Sequence, residues 1–220
     1  ILDELISYQK VIDGCRQVID NYQPTFEIDT SWEMITLGQL LEISRGGSPR
    51  PIKKFITEGD GINWIKIGDA TSSSKYIYET KEKITYEGSK KSRIVHPGDF
   101  ILSNSMSFGR PYIMKTTGCI HDGWLLLKYD SSHIKEDFLY YILSSKFVYD
   151  QFKRLATGGV VNNLNKDLVS SVLVPKPNLE EQEKLIKVLE EEREIIQSNI
   201  KLIEIYTQRI QNKINKIWES

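Results

Sequence analysis

The stretch from Leu179 to about Trp218 constrains the fold more than any other part of the sequence. Apolar side chains recur there at alternating intervals of three and four residues, which places them on one face of an α-helix. The positions of this C-terminal seam are Ile186, Leu189, Arg193, Ile196, Ile200, Ile203, Thr207, Ile210, Ile214 and Ile217. Only Arg193 and Thr207 interrupt it, and a heptad repeat of this length is typical of a coiled coil. At about 1.5 Å per residue the helix is about 60 Å long, so it needs another helix to pack against.

The N-terminal segment carries a shorter seam of the same kind. Ile1, Leu5, Tyr8, Ile12, Cys15, Ile19 and Tyr22 are again three and four residues apart, and Pro24 ends the predicted helix. This helix is the candidate partner of the longer one, in an antiparallel coiled coil. The predicted interface positions are Leu5, Ile12, Ile19, Leu189, Ile196, Ile203, Ile210 and Ile217.

Alternatives to this pairing stay open. Part of the longer seam would be left for another subunit or for a missing segment, because the first helix is shorter. The long helix could instead lie along its own domain. The sequence lacks an initiator Met and the seam already runs at residue 1, so we expect a longer polypeptide.

Between the two helical segments the sequence predicts a mixed domain. "INWIKIGDA" alternates apolar and polar residues, "SRIVHPGDFILSN" reads as a strand, a turn and a strand, and "FLYYILSSKFVYDQF" has helical spacing. Many short strands with a few helices indicate an α+β fold with a largely antiparallel sheet. The predicted parts are residues 1–23, an N-terminal helix; 24–177, the mixed domain; and 178–220, the long C-terminal helix.

The sequence lacks the usual signatures of catalysis. No two prolines are adjacent, which excludes the D/N-P-P-Y/F motif of adenine methyltransferases, and no P-loop or strand-anchored G-x-G-x-x-G is present. The three histidines are scattered without metal-ligand spacing. His121 and Asp122 could mimic a catalytic pair, but a place at a strand edge explains them better. The chain therefore reads as a binding module without a metal or cofactor of its own.

Three loops have the composition of polar recognition surfaces. Their glycines allow close approach of the backbone, and their Arg, Lys, Ser and Asn side chains suit phosphates and base edges. The candidate residues are Arg45, Gly46, Gly47, Ser48, Arg50, Lys53 and Lys54 in the first loop, Ser103, Asn104, Ser105, Ser107 and Arg110 in the second, and Thr157, Asn162, Asn163 and Asn165 in the third. An ordinary solvated loop is the alternative for the first of these loops.

Charge and cysteine usage fit this interpretation without requiring it. Thr25 to Pro177 carries 20 Lys and Arg against 17 Asp and Glu, whereas the whole chain has a net charge of −1. A mildly basic middle is compatible with a modest DNA-facing surface. The two cysteines lie far apart outside any C-x-x-C motif, which predicts a reducing, cytoplasmic setting without disulfides. No apolar run is long enough to cross a membrane.

The motifs taken in order resemble the specificity subunit of type I restriction–modification systems. The matching stretches are "SWEMITLGQLLEISRGGSPR", "INWIKIGDA", "KITYEGSKKSRIVHPGDFILSNSMSFGR", "FLYYILSS" and "GGVVNNLNKDLVSSVLVPKPNLEEQEKLI" with the helix that follows. Family members commonly read closer to P-P-L-x-E-Q where this chain has Pro175-Lys176-Pro177-Asn178-Leu179-Glu180-Glu181-Gln182. The opening "YQKVIDGCRQVIDNYQP" resembles either a linker after a fused methyltransferase domain or the helix after a first recognition domain.

The resemblance implies a non-enzymatic module that reads one half of a bipartite double-stranded DNA site. Its long helices would set the spacing between two such modules and dock DNA adenine methyltransferase subunits, which would supply S-adenosylmethionine. A restriction subunit, a homodimer or a second recognition domain are further implied partners. Two alternatives remain: the recognition region of a single-chain type II restriction–modification enzyme, and a coiled-coil scaffold without a role on DNA.

Overall fold

A computed structural model of the chain describes residues 2–22, 24, 27–70, 74–105, 109–157 and 163–218. The chain forms two compact units. One comprises Thr25–Glu183, and the other combines Ile1–Pro24 with Lys184–Ser220. The first unit is built from strands and short helices, and the second is helical.

Runs of strands and runs of helices follow one another along the chain. The helices are α1 (Leu2–Asn21), α2 (Leu37–Leu40), α3 (Tyr86–Ser89), α4 (Glu136–Ser144), α5 (Lys146–Thr157), α6 (Lys166–Ser170) and α7 (Leu179–Trp218). The strands are β1 (Glu33–Thr36), β2 (Leu41–Arg45), β3 (Ile56–Thr57), β4 (Ile62–Ile65), β5 (Tyr76–Ile77), β6 (Glu82–Ile84), β7 (Arg93–Val95), β8 (Phe100–Ser103), β9 (Pro111–Met114), β10 (Gly118–Ile120), β11 (Trp124–Tyr129) and β12 (Leu173–Lys176). Short 3₁₀ turns occupy Ile52–Lys54 and Ile67–Asp69.

The strands of the Thr25–Glu183 unit form two five-stranded sheets and one two-stranded ladder. The first large sheet has the order β2-β11-β8-β9-β5, the second has the order β3-β6-β4-β10-β7, and β1 pairs with β12. Most neighbours are antiparallel, but β4–β10 and β5–β9 are parallel. The sequence predicted a largely antiparallel sheet; the strands instead divide between two sheets.

One hydrophobic core of this unit is made by side chains from strands of both large sheets. They are Ile65, Ile77, Val95, Ile101, Tyr112, Met114, Ile120, Trp124 and Leu126. Successive side chains of a strand point to opposite faces of the sheet, so every second side chain of these strands points toward this core. Each large apolar side chain buried in this way contributes about 1.5–3 kcal/mol relative to exposure. The core includes residues of β8 and β10, which precede the second candidate loop and the turn at His121 to Gly123.

The first turn of α7 is bonded into the Thr25–Glu183 unit. Asn178 and Glu181 form a reciprocal capping box, with N–H···O distances of 3.0 and 3.1 Å. Gln182 is fully buried; its Oε1 accepts the Lys135 N–H at 2.8 Å, and its Nε2 donates to the Pro177 carbonyl at 2.9 Å. The segment "NLEEQ" therefore both starts the helix and satisfies backbone groups of the domain.

The helical unit pairs α1 with α7 in antiparallel orientation. Glu4 contacts Lys213, and the Tyr8 ring lies 5.3 Å from that of Tyr206 between centroids, so residue numbers rise along one helix as they fall along the other. Seam positions of α1 are among its least exposed residues, and Ile12 and Cys15 are buried. The predicted fold class, an α+β domain with long antiparallel helices, is confirmed.

The C-terminal seam departs from its predicted path near its end. Thr207 is exposed, and the preceding Tyr206 takes the inward position against Tyr8. Ile217, a predicted interface position, is 48% exposed. The inward position at this turn of α7 is therefore one residue earlier than the heptad spacing predicts.

Candidate nucleic-acid interface

The first candidate loop follows β2, and its two glycines lie close to the backbone of neighbouring segments. The Gly46 N–H donates to the Trp124 carbonyl at 2.9 Å, and the Gly47 N–H donates to the Ile120 carbonyl at 3.0 Å. A Cβ atom on Gly46 would lie 2.1 Å from the His121 carbonyl oxygen, so a side chain cannot fit there. Beyond these glycines Pro49 is buried. The cationic side chains of the loop, on Arg45, Arg50, Lys53 and Lys54, are exposed.

The second candidate loop is closed at its base by Ser103. The Ser103 Oγ accepts the Arg110 N–H at 3.0 Å, and the Ser103 carbonyl accepts the Gly109 N–H at 2.7 Å. Gly109 has a φ of +78°, which favours glycine. Ser103 is only 2% exposed, whereas Arg110 is exposed and Ser105 is half-buried. Ser103 thus shapes the loop, and Arg110 is presented by it; Ser107 lies outside the described residues.

Asn104 connects the second loop to the third. Its Nδ2 donates to the Asp122 carbonyl at 3.1 Å, and its own carbonyl accepts the Leu164 N–H at 2.9 Å. Asn104 is 4% exposed, so its polar groups are used inside the domain. In the third loop Asn163 is exposed, and the Asn165 Oδ1 accepts the Leu168 N–H at 2.9 Å as the N-cap of α6. Asn162 lies outside the described residues, and Thr157 ends α5.

Asp122, in the turn between β10 and β11, joins the first loop to this arrangement. Its Oδ1 accepts the Ser48 hydroxyl at 2.8 Å, and its Oδ2 lies 3.5 Å from Nη2 of Arg50. The Asp122 carbonyl also accepts the Arg45 Nε–H at 3.2 Å. The hydrogen bond from Ser48 holds the pKa of the Asp122 carboxyl below its ordinary value, so the group is charged at neutral pH. The three loops therefore meet through Asp122 and Asn104.

The neighbouring His121 is a structural acceptor under the loops. Its Nδ1 faces the Gly123 N–H at 2.6 Å and its Nε2 faces the Ile67 N–H at 3.2 Å. A neutral imidazole has one acceptor nitrogen, and the shorter contact assigns that role to Nδ1. Burial lowers the pKa of His121, which keeps the ring neutral. His121 and Asp122 thus serve the turn and the loops, as expected for a strand edge.

Three further cations extend the charge of the first loop. Arg93 on β7 donates through Nε to the Arg45 carbonyl at 2.8 Å, and Lys91 Nζ lies 4.7 Å from the centre of the Phe55 ring. We define the basic face as Arg45, Arg50, Lys53, Lys54, Lys90, Lys91 and Arg93, all of them exposed. The analysis of the loops missed Lys90, Lys91 and Arg93, although the basic run "KKSR" at positions 90–93 could have indicated them.

Alternative chemistries find no counterpart in the part of the chain that the structure describes. No group of three or more His, Cys, Asp or Glu residues within it could hold a metal ion. None of its helices combines the length and apolarity that a membrane span requires. Cys15 and Cys119 are buried free thiols.

Comparison with known proteins identifies the family. Residues 30–215 match the family described as type I restriction modification DNA specificity domain. The putative type I restriction enzyme MjaX specificity subunit of Methanocaldococcus jannaschii is 27% identical over 165 residues, which cover 74% of this chain and 37% of that protein.

Solved structures show the same fold. The crystal structure of the HsdS subunit from Thermoanaerobacter tengcongensis superposes with a TM-score of 0.59 at 17% identity, over 96% of this chain and 53% of that chain. A chain in a structure describing complex assembly and conformational transition of the type I R-M system gives a TM-score of 0.67 at 16% identity, over 98% and 55% of the two chains.

These matches share one property: the chain spans about half of each solved relative and less than half of the curated one. The family that the sequence motifs resemble is confirmed, and its members are recognition modules rather than catalysts. The chain belongs to the type I restriction modification DNA specificity domain family, the DNA-recognition modules of restriction–modification systems.

Proposed function

We propose that the Thr25–Glu183 unit reads one half of a bipartite double-stranded DNA site through its basic face and its three loops. This proposal rests on one observation. Loops from three separate parts of the chain are joined by hydrogen bonds at Asp122 and Asn104, and exposed cationic side chains lie beside them. Cations neutralise phosphates and position a protein on the duplex, whereas side chains on loops read base edges. A surface assembled from three loops can do both.

Within this surface the predicted site residues divide into two roles. Exposed side chains contact DNA: Arg45, Arg50, Lys53, Lys54, Arg110 and Asn163, together with the half-buried Ser105. A second group shapes the loops: Gly46 and Gly47 by close backbone approach, Ser48, Ser103 and Asn104 by internal hydrogen bonds, and Asn165 by capping α6. Ser107, Thr157 and Asn162 remain candidates from the sequence alone.

We further propose that the antiparallel helices set the distance between two reading domains and dock the partner subunits. α7 has 40 residues, or about 60 Å at 1.5 Å per residue, which matches DNA sites more than one helical turn apart. The partners are DNA adenine methyltransferase subunits, which bring S-adenosylmethionine, and a restriction subunit. The second reading domain comes from another copy of the chain or from a longer polypeptide. We place the complex in the cytoplasm.

Salt-dependent DNA binding tests the reading function. Fluorescence anisotropy with a pool of random-sequence duplexes should show an affinity that falls steeply between low and high salt. If Lys53 and Lys54 contact phosphates, the Lys53→Ala/Lys54→Ala variant should lower the slope of log K against log salt by about 1.8. Lys187→Ala/Lys201→Ala, which removes two exposed charges from α7, is the matched control and should leave the slope unchanged. Affinity independent of salt would favour a scaffold without a role on DNA.

A further inference from the structure

The guanidinium of Arg50 stands beside the Asp122 carboxylate, with Nη2 and Oδ2 3.5 Å apart. The Arg50 side chain is 84% exposed and that of Asp122 is 41% exposed, so the pair lies at the surface with Arg50 outermost. We propose that Arg50 reads a guanine in the major groove of the half-site and that Asp122 is its positioning residue. This inference rests on the proposed DNA-reading function and names the base and the side chain that recognises it.

Asp122 is held in place independently of Arg50. Ser48 donates to one carboxylate oxygen at 2.8 Å, and the backbone carbonyl of Asp122 accepts from Arg45 and from the buried Asn104. The hydrogen bond from Ser48 lowers the pKa of Asp122 and keeps the carboxylate charged. The Asp122 carboxylate is therefore a negative charge held in a fixed position beside the Arg50 guanidinium.

The two residues before Arg50 are anchored to the domain. Pro49 before it is buried, and Ser48 is tied to Asp122 by a hydrogen bond. A guanidinium carries N–H donors on several edges, so contact with a carboxylate through Nη2 leaves donors for a second partner. Two parallel N–H groups match O6 and N7 of guanine, the commonest specific contact in the major groove. A lysine ammonium is a point charge without this fork, so Lys cannot replace Arg at such a site.

Other arginines of the surface are arranged differently. Arg45 donates through Nε to the Asp122 carbonyl, and Arg93 donates through Nε to the Arg45 carbonyl. Their heads are thus fixed to neutral backbone oxygens. Arg50 differs from both in that its head faces a carboxylate, while its side chain is 84% exposed. A guanidinium that is already oriented loses less conformational entropy when it binds.

Selection from a pool of randomised duplexes tests the pair. The wild-type chain should enrich a motif with one guanine that Arg50→Ala and Arg50→Lys no longer select, while the rest of the motif is retained. Asp122→Asn keeps an acceptor for Ser48 but removes the charge, so it should weaken selection at the same position only. Lys201→Ala is the control and should enrich the wild-type motif.

A second measurement probes the guanine directly. Replacing it by 7-deazaguanine, which lacks the N7 acceptor, should weaken wild-type binding by about tenfold and leave Arg50→Ala binding unchanged. If Arg50→Ala selects the full wild-type motif, or loses affinity equally for both duplexes, the inference is wrong although the protein reads DNA. If the wild-type chain enriches no motif at all, the proposed reading function itself fails and this inference fails with it.

Discussion

Lys213 Nζ lies 2.6 Å from Glu4 Oε2, a contact between residues 209 positions apart in the sequence. Together with the Tyr8–Tyr206 ring contact it sets the antiparallel register of α1 on α7. The hydrogen bond from Lys213 lowers the pKa of Glu4, with a smaller contribution from Tyr8, and the same contact raises the pKa of Lys213. The stability of this helix pairing is therefore linked to pH.

The stabilisation from this pair should vanish in acid. Because the pKa of Glu4 is lowered in the folded state, its contribution is complete above the ordinary value of 4.5 and is lost as the pH falls through the folded pKa. The raised pKa of Lys213 adds a loss only at alkaline pH, above its ordinary value of 10.5. Glu4→Gln should lower the melting temperature at neutral pH and reduce its decrease in acid. Equal acid sensitivity of variant and wild type would contradict this.

The helical seam can be tested with one substitution at two positions. Ile203 is a partly buried seam residue, whereas Ile195 on the same helix is 60% exposed. Ile203→Asp places a charge in the interface and should cost about 1–3 kcal/mol in the free energy of unfolding, measured by urea denaturation. Ile195→Asp should stay within about 0.5 kcal/mol. If both variants behave alike, the seam does not carry the packing.

Gly46 should be the least replaceable glycine of the first loop. An alanine Cβ would meet the His121 carbonyl oxygen at 2.1 Å, so the chain after β2 must shift. Gly46→Ala should reduce stability by more than about 1 kcal/mol and weaken DNA binding, since Ser48 and Arg50 follow directly. Gly68→Ala is the control, because nothing lies within 4 Å of a Cβ there. Thermal denaturation and DNA binding by fluorescence anisotropy, measured for both variants, test this prediction.

Gln182 should be essential where α7 begins. Gln182→Ala leaves the Lys135 N–H and the Pro177 carbonyl without these partners, and the Gln182 side chain that it removes is fully buried. The loss of such bonds costs about 1–3 kcal/mol. Gln197→Ala, an exposed glutamine on the same helix, should have little effect. Urea denaturation followed by tryptophan fluorescence compares the two, and similar midpoints would contradict the buried role.

Protonation of His121 should loosen the turn beneath the loops. Its pKa is lowered by burial, and Asp122, Asp69 and Lys66 are the charged groups around it. Since the folded pKa is depressed, stability is complete above the ordinary value of 6.5 and falls as the pH drops toward the folded pKa. His121→Gln should remove this pH dependence from the urea midpoint. The exposed His133→Gln is the control and should retain it.

Much of the fold could be predicted because its signals are local. The heptad spacing of α1 and α7, the strands flanking "HPGD" and the capping segment "NLEEQ" are all legible in short windows of sequence. The inward position of Tyr206 in place of Thr207 could not be predicted from the sequence, because it depends on the exact winding of α7 against Tyr8.

The candidate site shows the same division. Loop composition indicated Arg50 and Arg110, but it did not show that Ser103 and Asn104 are buried or that Asp122 joins the loops. Likewise β7 and β8, adjacent in the sequence, belong to different sheets. The sequence by itself determined helix periodicity, strand alternation and turn chemistry, because these depend on neighbouring residues. Tertiary structure alone decided which distant backbone groups meet, because the pairing of strands far apart in the chain depends on how both sheets bury their shared core.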